Sequence, residues 1–237
     1  MKNSFFLSSH PTTRLAWFGL MLVAIPAALT ALNVGKQAAL WENVHWTLAT
    51  WVMVWLGMTG WQNSTGQVKQ VRGIFTAGMV SYALGQLLWD FQWGLEVTAF
   101  PAVSDAFYLG IAPFLMLGLV RTIRNQVSRA DEVAVYLDSG MILATLSTGI
   151  FALYGPRATA LSGLSTLVLV SYPVVFLAFA AAIFVAAISL RARYEVASPY
   201  PLIAGLGFSG ICWVVWNSLV LDGPIFPGTV TGYSFSL

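Results

Sequence analysis

The chain has 237 residues, of which 58% are hydrophobic and only 8% are charged. An ordinary soluble domain has about 25% charged residues, so this composition argues against a water-soluble fold. The net charge of +2 is too small to predict binding to nucleic acid or to a strongly acidic partner.

Seven continuous apolar segments predict an all-α fold: a polytopic membrane helical bundle of seven transmembrane helices, in a single domain covering residues 1–237. Each segment is close to the roughly 20 residues that a helix needs to cross a hydrocarbon layer of about 30 Å. The strands of a membrane barrel would instead alternate polar and apolar residues. In chain order, the predicted helices are residues 14–34, 43–62, 73–93, 105–121, 133–154, 165–190 and 201–221.

The first segment is also compatible with a secretory signal. Lys2 and Arg14 precede an apolar run that contains the small residues Ala27, Ala28 and Ala31. The run is nevertheless longer than the apolar part of a typical signal, which has about 7–15 residues. We therefore expect an uncleaved anchor that follows a cytoplasmic tail over residues 1–13.

The distribution of Lys and Arg predicts the direction in which the chain threads the membrane. Short cytoplasmic loops carry an excess of these residues. With the N-terminus inside, only Lys36 and Arg157 lie on the outer side. The other nine of the eleven are then cytoplasmic: Lys2, Arg14, Lys69, Arg72, Arg121, Arg124, Arg129, Arg191 and Arg193. Residues 222–237 form an outer loop or the start of an eighth helix in a longer natural chain.

Two stretches indicate an internal repeat. Residues 78–90 read GMVSYALGQLLWD and residues 205–217 read GLGFSGICWVVWN, so both begin with Gly and end with Trp and a short polar residue. Each is followed some ten residues later by a proline, Pro101 or Pro227. We interpret the bundle as built from repeated helical hairpins.

Carboxylates within or beside the predicted helices are candidates for function, because a charge inside a bilayer is costly and tends to be paired or functional. Asp90 lies near the outer end of the third helix, between Trp89 and Trp93, and these three residues are candidates for contact with a ligand. Asp105 begins the fourth helix on the same side. It is a further candidate, although capping of the helix is the favoured explanation of a carboxylate at this position.

Asp138 lies about one and a half turns into the fifth helix from its cytoplasmic end. The long side chains of Arg121 and Arg124 extend from the preceding helix on that side, and Arg191 lies on the same side. We therefore predict a structural ion pair between Asp138 and one of these arginines.

Mid-helix aromatic residues are a second candidate feature. Trp213 lies deep in the seventh helix, and Asn217 takes the place of Asp90 in the repeat. Packing within the bundle or against lipid is the commoner role of such residues, and the alternative is that they line an apolar pocket for a lipid-like or ring-shaped ligand. The single cysteine and the two histidines do not form a cluster with metal-ligand spacing, so no metal site is predicted, and the cofactors are left unassigned.

The order of several motifs resembles the N-terminal multi-helix membrane region of bacterial GGDEF and EAL signalling proteins. The chain has WD at 89–90, FPAVSDAFYL at 100–109, Pro113, the basic turn RTIR at 121–124 and LD at 137–138. The similarity covers roughly residues 73–154. It implies sensory or structural roles for Trp89, Asp90, Pro101, Asp105, Tyr108 and Asp138.

The same resemblance implies that a cyclic-di-GMP cyclase or phosphodiesterase module follows, outside this chain. Neither a GGDEF nor an EAL sequence occurs in the 237 residues, so we expect no catalysis here. The leading hypothesis is a sensory or anchoring domain of signal transduction in the bacterial inner membrane. Its expected partners are the lipid bilayer, a second copy or other membrane subunits, and a small apolar or lipid-like ligand. The alternatives are a non-catalytic subunit of a larger pigment or respiratory complex and, less favoured, a small transporter.

Overall fold

The computed structural model describes residues 11–97, 99–124, 129–189 and 200–223. Throughout these ranges the chain forms helices and connecting turns without β-strands. The helices are α1 (Pro11–Ala31), α2 (Ala38–Gln62), α3 (Gly66–Gly94), α4 (Val103–Leu109), α5 (Ile111–Arg124), α6 (Arg129–Tyr154), α7 (Gly163–Ser189) and α8 (Tyr200–Asp222). The predicted all-α class is confirmed for the described residues, and each of the seven predicted segments coincides with helical structure. The predicted eighth helix, the first ten residues, Arg191 and Arg193 lie outside these ranges.

Among the described residues, four helical segments are long and apolar enough to cross a membrane: Val103–Arg124, Asp131–Tyr154, Gly163–Ile188 and Leu202–Asp222. The sequence predicted seven such segments. The apolar part of α1, Leu15–Ala31, is shorter, and α2 and α3 are not in this set. Both α2 and α3 contain polar residues that face the inside of the bundle, such as Glu42, His45 and Gln86, and these lower the mean hydropathy of their helices.

Helix α3 begins seven residues before the predicted start at residue 73. The polar residues that precede the apolar run, which were expected in a loop, therefore belong to its first turns. Arg72 is one of them, and one of its guanidinium nitrogens donates hydrogen bonds to the carbonyl of Gly60 at 3.0 Å and to the hydroxyl of Ser64 at 2.7 Å. These bonds satisfy acceptors at the end of α2, where the last carbonyls have no partner within the helix, and they fix the short turn between α2 and α3.

Replacing Arg72 by Met is expected to destabilise the protein by about 1–2 kcal/mol, because the carbonyl of Gly60 and the buried hydroxyl of Ser64 lose a charged donor. Thermal unfolding in detergent measures the change. Lys36→Met removes one cation at the other end of α2, where no ion pair is found among the described residues, and should leave the midpoint unchanged. Equal midpoints for the two variants would contradict this role of Arg72.

The fourth predicted helix is divided at Gly110 into α4 and α5. Pro113 explains the division, because a proline within a helix has no N–H for the carbonyl four residues earlier, and its ring collides with that carbonyl. Near the break, the carbonyl of Phe107 accepts a hydrogen bond from the hydroxyl of Ser81 in α3 at 2.8 Å. The two pieces still form one apolar segment, and the short α4 takes its own position beside α3 and α7.

Helix α7 lies at the centre of the bundle. It packs against α6 and α8 and also contacts α4 and α5. Its largest buried cluster includes Phe176, Phe179 and Ile183, which meet Leu115 and Leu119 of α5. In the most apolar 18-residue stretch of each candidate span, 61% of the α7 residues are buried but only 11% of the α6 residues. Most of the surface of α6 therefore faces away from the rest of the described chain.

Candidate functional site

A cavity of about 530 Å³ lies at the end of the bundle where α2, α4 and α7 begin and α3 and α8 end. Five of the seven candidate ligand-binding residues line it: Trp89, Asp105, Tyr108, Trp213 and Asn217. The other residues that matter for its chemistry are Trp46, Thr50, Tyr82, Gln86, Arg157, Ala160, Leu169, Tyr172 and Trp216. Five helices, the α3–α4 turn and the α6–α7 turn thus contribute to one concave surface.

Aromatic rings form much of this surface. The rings of Tyr172 in α7 and Trp213 in α8 are stacked, with centroids 4.0 Å apart and an angle of 20° between their planes. Tyr108 in α4 contacts Tyr172 edge-on at 6.4 Å and Tyr82 in α3 at 4.9 Å. The four rings therefore form a continuous series across α3, α4, α7 and α8. Such arrangements stabilise a packed aromatic cluster beyond the burial of its area.

A second aromatic contact lies on the α2 side of the cavity. Trp46 in α2 and Trp216 in α8 meet edge-on, with centroids 5.7 Å apart. This contact joins α2 and α8, which are far apart in the sequence, beside the cavity. Aromatic rings therefore face the cavity from both sides, which suits a flat or apolar ligand.

Asp105 is the carboxylate on the cavity surface. Its Oδ2 accepts a hydrogen bond from the backbone N–H of Ala102 at 2.6 Å, so Asp105 caps α4 from the third helical position, whereas the sequence predicted that it begins the helix. Its Oδ1 accepts a hydrogen bond from the hydroxyl of Tyr172. The carboxylate therefore links the start of α4 to α7. Each of its oxygens has a second lone pair that is free of these bonds.

Asp90 is not on the cavity surface but one hydrogen bond behind it. Its Oδ2 accepts from the hydroxyl of Thr47 in α2, and its Oδ1 accepts from the amide nitrogen of Gln86 at 2.9 Å. The amide oxygen of Gln86 in turn accepts from the hydroxyl of Tyr108 at 2.7 Å. This chain of hydrogen bonds joins α2, α3 and α4. Two of its members, Gln86 and Tyr108, line the cavity.

The two tryptophans that flank Asp90 have different positions. Trp89 lines the cavity, and its indole nitrogen donates to the side-chain oxygen of Asn43 at 3.1 Å. Trp93 is exposed and does not contribute to the cavity surface. Glu96, in the turn after α3, is also exposed and away from the cavity. Of the three residues predicted here to contact a ligand, only Trp89 therefore lies on the cavity surface.

At the α8 side, Asn217 is buried, and its amide nitrogen donates to the carbonyl of Leu169 in α7 at 2.8 Å. Arg157, at the end of the cavity, donates to the carbonyl of Ser218 at 2.7 Å and forms an ion pair with Asp222. The guanidinium thus fixes the turn after α6 to the end of α8. It places one cation on a surface that is otherwise mainly apolar.

The predicted ion pair between Asp138 and Arg121 or Arg124 is corrected by the structure. Arg124 pairs instead with Glu132, with 2.8 Å between Nε and Oε1, and Arg121 donates to the side-chain oxygen of Gln70 at 2.9 Å. Asp138 is exposed on α6 and forms no ion pair within the described ranges. Glu132 lies nearer the turn and so meets Arg124 first, whereas Arg191, the other predicted partner, is outside the described residues.

Three polar residues that complete the site were not identified from the sequence. Gln86 stands four residues before Asp90 in an otherwise apolar stretch, and this spacing, which places both on one helix face, is a usable signal. Thr47 and Tyr172 bond to carboxylates 43 and 67 residues away in the sequence. No local pattern marks them, because their partners are brought close only by helix packing.

The groups on the cavity surface are able to bind a ligand. Within the part of the chain that the structure describes, no group of three or more His, Cys, Asp or Glu side chains could hold a metal ion. The polar groups that line the cavity include a carboxylate, two amides, the hydroxyls of Thr50 and of three tyrosines, and a guanidinium, spread around aromatic rings. This surface can accept and donate a few hydrogen bonds to a largely apolar molecule.

Comparisons of the chain with protein-family models, with curated proteins and with solved structures found no match. The similarity to the membrane region of GGDEF and EAL proteins therefore stays a prediction from the sequence motifs.

Proposed function

We propose that this chain is a membrane-embedded sensory domain that binds a small, ring-bearing and largely apolar molecule at its outer end. The observation that carries the proposal is the cavity of about 530 Å³, whose aromatic surface includes Asp105, Gln86 and Asn217. Its volume falls in the range of about 300–1,000 Å³ that is typical of small-molecule sites. A hydroxyl on the ligand would donate to Asp105, while its ring would lie against Tyr172 and Trp213.

The membrane location is supported by the four segments that are long and apolar enough to span a bilayer. It is also supported by large apolar side chains exposed along α6, such as Leu137, Met141 and Phe151. In water these side chains would form an unfavourable exposed patch, whereas lipid solvates them. Labelling of the turn between α5 and α6 from either side of the membrane tests the predicted inner position of that turn.

Ligand binding would be coupled to helix packing because the cavity joins elements that otherwise touch little. The Asp105 carboxylate links α4 to α7, and the Trp46–Trp216 contact links α2 to α8. A molecule in contact with all four would favour the arrangement in which they are close together. The attached cyclic-di-GMP module, implied by the sequence resemblance, would respond to that change.

The coding sequence beyond Leu237 tests the proposed attachment of such a module. An eighth span and a catalytic module support it, and a stop codon without a partner gene contradicts it.

Replacing Ala160 by Phe is expected to weaken binding of 4-bromophenol by about tenfold or more, which corresponds to about 1.4 kcal/mol. Ala160 lines the cavity from the α6–α7 turn, so the added ring takes up space that the probe would occupy. Bromine quenches tryptophan fluorescence at short range, so a titration in detergent measures the binding through Trp46, Trp89, Trp213 and Trp216.

The matched control is Ala152→Phe, which adds the same ring to the exposed surface of α6. It should leave the affinity for 4-bromophenol unchanged. Quenching that does not saturate in the unmodified protein, or that is the same in both variants, would count against a ligand site in the cavity.

The exposed face of α6 favours one second candidate, a subunit of a larger membrane complex. Asp138 is exposed there, and a carboxylate in contact with lipid is costly. A helix of another subunit would cover it. Purification in mild detergent distinguishes the two functions, because stoichiometric membrane subunits support the second candidate and a single species or homodimer supports the first.

A further inference from the structure

A second concave surface lies at the opposite end of the bundle from the aromatic cavity. It is a groove of about 640 Å³ between the start of α3 and the middle of α5. Its floor and sides include Trp61, Gly73, Ala77, Phe114 and Leu117, and Lys69 stands at its polar end. Neither the proposed sensory role nor the sequence motifs assign anything to this groove.

Small residues make the groove concave. Gly73 faces the indole of Trp61 so closely that a Cβ atom at this position would lie 2.9 Å from Nε1. Ala77, one turn further along α3, continues the shallow floor, and Phe114 and Leu117 of α5 form the other side. From Lys69 to Ala77 the groove follows eight residues of α3, which is about 12 Å at 1.5 Å per residue. This length matches a substantial part of an acyl chain.

Two cations stand at the polar end without a carboxylate partner in the described part of the chain. Lys69 is exposed and forms no ion pair there. Arg121 donates to the neutral side chain of Gln70, which itself lines the groove. The carboxylate of Glu132 is bound to Arg124. The polar end therefore has positive charge that no ion pair among the described residues compensates.

We propose that this groove binds an anionic membrane phospholipid, with the head-group phosphate near Lys69 and Arg121 and one acyl chain along Gly73, Ala77 and Leu117. The charge and the apolar surface are both needed for this assignment. A free phosphate would use only the cations, and a neutral lipid only the apolar part. Basic pockets between helices near the cytoplasmic surface are well suited to anionic head groups. The proposal rests on the membrane location proposed above.

The test uses the full chain, purified in detergent and stripped of lipid, with native mass spectrometry to measure the binding of dioleoyl phosphatidylglycerol and dioleoyl phosphatidylcholine. The expected result is a clear preference for phosphatidylglycerol in the unmodified protein. Lys69→Gln and Arg121→Gln should each reduce the affinity for phosphatidylglycerol by about fivefold, as expected for one charge near a lipid surface. Gly73→Leu should reduce the binding of both lipids, because its side chain fills the groove.

The matched controls are Lys36→Gln, which removes a cation at the other end of the bundle, and Gly149→Leu, which adds a side chain where nothing lies within 4 Å. Both should retain the preference. Equal binding of the two lipids by the unmodified protein, which needs no variant to fold, would overturn the proposal. Displacement of phosphatidylglycerol by millimolar inorganic phosphate, together with normal binding by Gly73→Leu, would indicate a phosphate site and would also overturn it.

Failure of this proposal can be separated from failure of the membrane location. Washing of membranes with alkaline carbonate releases proteins that only adhere to the surface. If the chain remains in the membrane but does not distinguish the two lipids, only the lipid site is wrong. If the chain is released, the membrane location and the lipid site are both wrong.

Discussion

Replacing Asp105 by Ala is expected to lower the free energy of unfolding by about 2–4 kcal/mol. The variant loses the cap on the N–H of Ala102, and such caps contribute about 0.5–2 kcal/mol. It also leaves the hydroxyl of Tyr172 without its acceptor, although this tyrosine is only 3% exposed. A buried donor without a partner costs about 1–3 kcal/mol. Unfolding in mixed micelles of increasing sodium dodecyl sulfate content measures the change through loss of the native near-ultraviolet signal.

A double-mutant cycle isolates the contact between Asp105 and Tyr172. Tyr172→Phe keeps the stacking on Trp213 and removes only the hydroxyl, so it should cost less than Asp105→Ala. In the double variant no buried hydroxyl remains unpaired, and its destabilisation should therefore be smaller than the sum of the two single effects. Asp105→Asn retains a side-chain oxygen and should fall between the unmodified protein and Asp105→Ala. Strict additivity of the two single effects would show that the two residues do not interact.

The existence of the helices could be predicted from the sequence because long apolar runs have few other solutions. The boundaries of the helices were predicted less accurately. The apolar run that predicted α3 begins at residue 73, but the helix itself begins earlier and includes Lys69 and Arg72. Helical hydrogen bonds do not require apolar side chains. Pro113 was a local signal for the break at Gly110, but the segment was predicted as one helix because it is apolar throughout.

The candidate site was predictable to the extent that its residues share one end of the bundle. Consecutive helices run in opposite directions, so residues such as Trp89 and Asp105, at the end of one helix and the start of the next, come to the same level. Trp213 joins them because α8 also ends there. The contacts of Asp105 with Tyr172 and of Asp90 with Thr47 depend on which helices are neighbours and how each is rotated. That information belongs to tertiary packing and is not present in any local pattern.

The incorrect pairing of Asp138 has a related cause. Distance along the helix suggested that the arginines at the end of the preceding helix could reach it, but reach alone does not select a partner. Glu132 lies closer to the turn, and the hydroxyl of Tyr136 also donates to it at 2.9 Å. Arg124 therefore finds a carboxylate that is already positioned, at lower cost in side-chain entropy than extension to Asp138 would require.

Replacing Gly85 by Ala is expected to destabilise the protein by about 2–3 kcal/mol, as overpacking of a tight interface does. The new Cβ would lie 2.9 Å from both the backbone nitrogen and Cδ1 of Tyr108, and a backbone atom cannot move aside as a flexible side chain does. The helices α3 and α4 would have to separate, which would lengthen or break the hydrogen bond from Tyr108 to Gln86. The affinity of the cavity for 4-bromophenol should therefore fall together with the stability.

Gly149→Ala in α6 is the matched control, because nothing lies within 4 Å of the Cβ that it adds. Alanine has a higher helix propensity than glycine by about 0.8–1 kcal/mol, so this variant should be as stable as the unmodified protein or slightly more stable. Both variants change the same atoms in the same type of helix, and only the surroundings differ. If Gly85→Ala were as stable as Gly149→Ala, then α3 and α4 would not be in the close contact that places Tyr108 beside Gln86, and the proposed geometry of the cavity would be wrong.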